Sequence, residues 1–203
     1  MCVDQPTLDN PFCANVMRNP QAGAFKGFIV GYRLNPENVA RFRTSGADFK
    51  VFYTFEPSAT SGRFDIRLAG GYLDQLSIVA LPGAATTDEL EQRYKPQWSG
   101  NFDLAWTLGN VTVNYGVNYF GKTLRFPAAE LAAQPDLVAP EYRYWSERWE
   151  HDVQVAVSAW EDRATIYAGV NNIFDRQPDF DQVNYPASFR GRFLYLGVRA
   201  KLR

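Results

Sequence analysis

Apolar and polar residues alternate along most of the chain, and this period of two constrains the fold more than any other feature. Successive side chains of a β-strand point to opposite faces, so each alternating run predicts a strand with one apolar and one polar face. The apolar positions of the clearest runs begin at Phe49, Phe64, Phe102, Val111, Val153, Ile166 and Leu194. Helical spacing is scarce, so we expect an all-β protein whose strands join in sequence order as an antiparallel up-and-down meander.

Composition narrows the class of protein further. The 203 residues carry 21% charged side chains and a formal net charge of -1, which argues against a disordered tail and against nucleic acid as a partner. Aromatic residues reach 15%, which favours strands over helices. No run of about 18 apolar residues occurs, so a membrane-spanning helix is excluded, whereas a membrane β-barrel, whose signal is alternation, is not.

The connections between the runs alternate in length. Short connections fall at residues 56–62, 109–110 and 161–163, and long ones at 80–93, 127–143 and 175–188. We therefore expect long and short connections at opposite ends of the sheet. This is typical of an outer-membrane barrel, which has short periplasmic turns and long extracellular loops.

Alternation alone does not say whether the apolar face fills a soluble barrel or faces lipid, since both need a period of two. The predicted strands at 47–55, 98–108, 111–126 and 149–160 reach the roughly 9 to 11 residues that a tilted membrane strand needs. The polar face has the content of a wet lumen and includes Arg63, Asp65, Arg67, Asn101, Asp103, Asn114, Asn118, Arg199 and Lys201. Aromatic residues near strand ends predict interfacial girdles, with ordinary cross-strand packing as the alternative: Trp98, Tyr119, Tyr144, Trp145, Trp149 and Trp160.

The chain has two cysteines and one histidine. Cys2 and Cys13 flank a segment, PTLDNP, whose turn chemistry can bring them together as a disulfide, while two reduced thiols are the alternative. A single histidine, His151, is too few for a zinc site of the usual spacing, and we expect no metal. Residues 1–6 have neither the basic start nor the apolar region of a secretory signal, so we expect a chain that stays inside the cell or begins part-way through a gene.

The motif Gly-Val-Asn-Asn-Ile-Phe-Asp at 169–175, followed by a loop and a last alternating strand, resembles the C-terminal end of TonB-dependent outer-membrane receptors. Residues 2–6, 10–13, 38–40 and 44–48 resemble one bacterial branch of that family. The pattern Tyr195, Gly197, Ala200 and Leu202 resembles a barrel-assembly signal, although the chain ends at Arg203 where the family usually has an aromatic residue.

The resemblance implies that residues 1–203 are the C-terminal portion, about seven or eight strands, of a transmembrane barrel with 22 strands. The chain would enter the barrel within an extracellular loop that carries the cysteine pair, and the plug domain, TonB box and signal peptide have no counterpart here. The implied function is energised uptake of a large nutrient, such as a siderophore or glycan, across the bacterial outer membrane, with a periplasmic C-terminus. The implied partners are outer-membrane lipid, the barrel-assembly machinery, the nutrient and, through the missing plug, the TonB system.

A set of polar and aromatic residues on the long-loop side suits a bulky, amphiphilic ligand, because aromatic faces stack and charged groups fix orientation. We expect substrate contacts from Tyr142, Arg143, Tyr144, Trp145, Asp179, Phe180, Asp181 and Tyr185. The alternative is that these residues only stabilise the loops.

Other sequence features give weaker indications of metal binding or catalysis. The acidic run 175–181 offers calcium ligands but fits no EF-hand spacing, and we interpret it as a solvated loop. His151 lies between Glu150 and Asp152, yet no nucleophile spacing accompanies it, so we expect a polar residue at a strand end. We expect neither an enzyme nor a cofactor. A stand-alone small β-barrel that binds a ligand in its lumen is the alternative function.

Overall fold

The computed structural model describes residues 11–33, 40–80, 84–160, 163–182, 186 and 188–201. The chain divides into two compact units, residues 1–40 and residues 41–203. No helix within the described ranges has the length and apolar character of a membrane span.

The first unit is a small hairpin preceded by one helical turn. It contains the helix α1 (Pro11–Ala14) and the strands β1 (Val16–Arg18) and β2 (Ile29–Tyr32), which pair antiparallel. The two strands form a two-stranded sheet of their own. Cys13 is disulfide-bonded, but Cys2 lies outside the described residues, so their pairing stays a prediction.

The second unit is built on one antiparallel sheet of long strands. These are β3 (Arg41–Phe55), β4 (Arg63–Val79), β6 (Trp98–Leu108), β7 (Val111–Phe120), β10 (Arg148–Ala159), β11 (Ala164–Asn171) and β12 (Phe193–Ala200). Short elements occupy the connections: β5 (Thr87–Asp88), β8 (Thr123–Leu124), the helix α2 (Ala128–Ala133), a 3-10 turn (Pro140–Tyr142) and β9 (Tyr144–Trp145).

The long strands follow one another across the sheet in the order β3-β4-β6-β7-β10-β11-β12, and β5 pairs with β4. The predictions of an all-β chain and of a meander are therefore confirmed. Short connections join β3 to β4, β6 to β7, and β10 to β11, and we call these the turns of the sheet. The other three connections are long loops: L1 (residues 80–97), L2 (121–147) and L3 (172–192). Because neighbouring strands run in opposite directions, all three long loops lie at one end of the sheet and the turns at the other.

The cross-strand register keeps the apolar residues of all long strands on one face. One row, for example, runs through Val51, Leu68, Phe102, Val117 and His151. The register places Asn114 directly opposite Gln154 on the other, polar face. The sheet is open, since no strand pairing in the described ranges joins β3 to β12.

Within the described residues of the second unit, no second layer packs on the apolar face of the sheet. Among the described residues, the only buried hydrophobic side chains are Leu124, Trp145 and Ala164, of which the first two lie in L2. On the sheet itself, apolar side chains such as Leu196 remain as much as 76% exposed. A soluble sheet buries one face against a second layer, and this sheet does not.

Aromatic side chains gather at both ends of this apolar face. At the long-loop end the ring pairs are Tyr72–Trp98 and Tyr119–Trp149, with centroids 4.5 and 4.3 Å apart. At the turn end the stacked pairs are Tyr53–Phe55 and Phe55–Phe64, with centroids 5.4 and 4.9 Å apart. The girdle prediction is wrong for Tyr144 and Trp145, which belong to L2 and pair with β8 instead of lying on the sheet.

Candidate ligand-binding site

Trp145 is the point at which all three long loops meet. Its side chain is 1% exposed. From L1, the Tyr94 ring stacks on it with centroids 5.3 Å apart, and the Arg93 guanidinium lies 4.7 Å from the centre of the indole ring. The indole Nε1 donates to L3, to Asp181 Oδ1 at 2.9 Å and to the Phe180 carbonyl at 3.3 Å. We call the three loops, held together in this way, the loop cap.

Arg125, in L2, is a buried charge inside the loop cap. Its side chain is 7% exposed, and one terminal nitrogen lies 3.2 Å from Asp181 Oδ1. The other terminal nitrogen donates to the carbonyl of Tyr142 at 3.1 Å, and the guanidinium lies 5.5 Å from the centre of the Phe180 ring. Its Nε has no hydrogen-bond partner within the described chain. A buried guanidinium needs such partners, because desolvation of an unpaired charge is costly.

Two further side chains tie L3 to its surroundings. Asp179 accepts from the backbone N–H of Ser146 in L2 at 2.6 Å and from Arg176 at 3.1 Å. Arg148, buried at the start of β10, donates to the carbonyls of Arg176 and Gln177. L3 is therefore anchored both to L2 and to the rim of the sheet.

The motif at 169–175 forms the entry of L3. Asn172 lies in the left-handed region with a φ of 53°, and its backbone N–H donates to Asp152 Oδ1 at 2.7 Å. Its side chain exchanges two hydrogen bonds with the backbone of Arg176. Asparagine tolerates this backbone conformation better than most residues, so the motif builds a defined turn at the end of β11.

Six of the eight residues that we predicted as ligand contacts fall into two groups. Trp145, Asp179 and Asp181 face other loop residues, as the loop-stabilising alternative describes. Phe180, Tyr142 and Tyr144 keep 83%, 57% and 40% of their surface exposed, and Lys122 lies over the Tyr144 ring. Arg143 donates to the carbonyl of Pro135 within L2. Tyr185 lies outside the described residues.

Sequence reasoning missed Arg125, Arg93, Tyr94 and Arg148. Alternation assigned Arg125 to a strand at 111–126, but β7 ends at Phe120, and Thr123 and Leu124 pair with β9. The one available signal was that each of these arginines directly precedes an aromatic residue, and that signal is weak.

The polar face of the sheet lines two hollows. A cavity of about 760 Å³ is lined by Lys50, Asn101, Asn118 and Glu150, from four different strands. A second, of about 520 Å³, reaches from Arg67 of β4 to Tyr195 of β12. Each hollow touches several neighbouring strands, and we infer that the sheet curves around them. In this sense we call the polar face concave and the apolar face convex.

The remaining candidate residues take part in contacts that hold the fold. His151 lies on the apolar face, with Nδ1 2.6 Å from the Tyr115 hydroxyl, whereas Glu150 and Asp152 lie on the opposite face. Asp175 accepts from the backbone N–H of Arg192 at 2.7 Å. In the described ranges, no group of three or more His, Cys, Asp or Glu side chains is arranged to hold a metal ion.

No family model, no curated protein and no solved structure matches the chain.

Proposed function

We propose that the chain is a wall segment of an outer-membrane barrel of the TonB-dependent receptor type, with its convex face toward lipid and its loop cap toward the outside of the cell. The segment contributes to uptake of a large nutrient such as a siderophore or glycan. The observation that carries the proposal is the uncovered apolar face, which crosses every long strand and has aromatic rows at both ends.

The size of this face fits a membrane. Phe64 and Tyr72 lie in opposite aromatic rows, eight positions apart on β4. At about 3.4 Å per residue, eight positions span about 27 Å along the strand. A strand tilted by about 40° covers roughly 20 Å of that along the membrane normal, close to the apolar band of outer-membrane barrels. An exposed apolar area of this extent in water would be an aggregation site.

The concave face and the loops support the proposed orientation of the segment in the membrane. The concave face has charged and amide side chains, as a water-filled lumen requires. The three long loops lie at one end and the tight turns at the other, which is the asymmetry of barrels with extracellular loops. The motif at 169–175 and the last strand resemble the receptor family, and they are the reason for proposing a nutrient receptor rather than another barrel.

Val113 and Asn114 provide a direct test, because they are adjacent on β7 and lie on opposite faces. Each is changed to cysteine in a Cys2→Ser, Cys13→Ser background, spin-labelled, and measured with the chain folded in detergent micelles. We expect the Val113 label to collide with dissolved oxygen, which partitions into the micelle, and the Asn114 label to collide with a water-soluble nickel chelate. Reversed or equal accessibilities would contradict the proposal.

The ligand part of the proposal rests on the exposed aromatic residues of the loop cap. A ferric catecholate and a maltooligosaccharide are titrated against the micellar chain, with binding followed by calorimetry. We expect one of them to bind, and Phe180→Ala to weaken it about tenfold or more, as loss of one stacked aromatic face does. Phe189, a ring of L3 that is also largely exposed, is the matched control, and an equal effect of Phe189→Ala would contradict the assignment.

A further inference from the structure

A single guanidinium connects two of the long loops. Arg125 belongs to L2, yet it pairs with Asp181 of L3 at 3.2 Å and at the same time binds the Tyr142 carbonyl in the distal part of L2 at 3.1 Å. The guanidinium fork is planar and its donor directions are fixed, so these two contacts set the spacing between the two acceptors. A flexible ammonium group would not fix it.

The acceptor in L3 is shared. Asp181 Oδ1 accepts a hydrogen bond from Trp145 Nε1 and forms an ion pair with Arg125 at 3.2 Å, and both of these residues belong to L2. Asp181 has a φ of 60°, a left-handed backbone that is uncommon for aspartate and that persists only where surrounding contacts hold it. Loss of the arginine would leave the Asp181 carboxylate with the indole as its one partner from L2 among the described residues.

The contact also determines what the surface displays. Phe180 precedes Asp181, and its ring has the Arg125 guanidinium at 5.5 Å while 83% of its surface remains exposed. Tyr142, whose carbonyl Arg125 holds, is exposed as well. The Phe180 ring and the Tyr142 backbone thus both contact one buried cation.

We propose that Arg125 is a positioning residue that couples L2 to L3, so that the two loops open and close as one unit and present Phe180 and Tyr142 at a fixed separation. The inference depends on contacts within the loop cap alone. The coupling of L2 to L3 can be absent even if the convex face contacts lipid, and it can be present even if that face does not.

Hydrogen exchange read by mass spectrometry tests the coupling on the full chain in micelles. Arg125→Gln removes the charge and the fork, and we expect amide exchange to rise about tenfold or more in both loops, at residues 121–147 and 172–182, with β6 and β7 unchanged. Arg143→Gln is the matched control, because Arg143 bonds to Pro135 within L2, and it should speed exchange in L2 only. A rise confined to L2 in Arg125→Gln would overturn the proposal.

Two more variants separate positioning from general loss of structure. Arg125→Lys keeps the charge without the fork, so exchange should stay raised in both loops, and wild-type exchange would refute the role of the fork. Asp181→Asn should reproduce the effect of Arg125→Gln, and the double variant should be no worse than either single one, because both changes remove the same contact. Additive effects of the two substitutions would show that the contact does not couple the loops.

Discussion

At the scale of single residues, Trp145 holds the loop cap together through two separate interactions. Its ring is buried against Tyr94 and the guanidinium of Arg93, and its N–H is bonded to L3. The ring supplies the apolar burial that the sheet lacks, while the N–H fixes where L3 attaches. The two contributions are separable, since phenylalanine keeps an aromatic ring and lacks the donor.

We expect Trp145→Phe to lower the local stability of L2 and L3 by about 1–2 kcal/mol, because it removes a hydrogen bond to a carboxylate that stays paired with Arg125. Amide exchange of residues 172–182 as a function of urea concentration measures this loss. Trp160, 78% exposed at the turn between β10 and β11, is the control, and Trp160→Phe should change stability by less than about 0.5 kcal/mol. Equal effects of the two substitutions would contradict this role of the indole N–H.

At the scale of elements, the last hairpin is held by two tyrosines that lie over glycines. Gly169 of β11 stands opposite Tyr195 of β12, and Gly197 stands opposite Tyr167. Because Gly169 has no side chain, the Tyr195 ring crosses β11 and its hydroxyl accepts from Gln154 of β10 at 3.1 Å. An aromatic ring over a strand glycine fixes register and restores packing that glycine alone would lose.

Gly169→Ala should therefore destabilise the edge of the sheet. A Cβ at this position would overlap the Tyr195 ring and lie 2.8 Å from the Val153 carbonyl, so the ring must leave and its bond to Gln154 is lost. We expect a loss of about 1–3 kcal/mol, measured as faster amide exchange in β11 and β12. Gly116, in the middle of β7, is the matched control, because its Cβ would meet nothing closer than 3.5 Å and Gly116→Ala should be tolerated. If both variants exchange alike, the ring contact does not stabilise the hairpin.

The strands could be predicted where alternation is unbroken, and not where the backbone departs from it. The limits of β6 match the prediction of 98–108, because inward and outward positions alternate without interruption. The start of β3 at Arg41 was missed, since a register shift between Ser45 and Gly46 reverses the phase of the pattern. Alternation beyond Phe120 predicted too long a strand, because Thr123 and Leu124 alternate equally well while pairing with β9.

The candidate site was less predictable than the strands for a related reason. Residue type located an aromatic and acidic set in L2 and L3, but which members are exposed depends on contacts between distant segments. Trp145 and Phe180 are both aromatic residues of long loops, and yet one is buried and the other is open to solvent. The buried partner that separates their roles, Arg125, has no signature in a sequence pattern.

At the scale of the whole molecule, the direction of the strands limits how the sheet can close. β3 ends at a tight turn, and β12 begins after L3, so both edge strands run from the loop end to the turn end. A seam between them would be parallel, whereas barrel walls of this type pair antiparallel. In the proposed membrane wall, unpaired backbone groups would cost several kcal/mol each, so each edge would need a strand that runs the other way.

We therefore expect that the chain does not close into a small barrel by itself, which also excludes a ligand lumen enclosed by this chain alone. In a background with Cys2 and Cys13 changed to serine, Arg199 of β12 is changed to cysteine. This change is combined in turn with a cysteine on β3, at Asp48, Lys50, Phe52 or Thr54. Each double variant is oxidised mildly, and disulfides are located by peptide mapping. The pair Arg199 and Thr165 is the positive control, because these residues stand directly opposite each other on β12 and β11 and their Cβ atoms should be about 4.5–5.5 Å apart. We expect an intrachain disulfide in the control and in none of the four test pairs. Four positions on one face of β3 sample the registers that a seam could adopt, so an intrachain disulfide in any one of them would mean that the two edges meet and that the chain is a closed barrel.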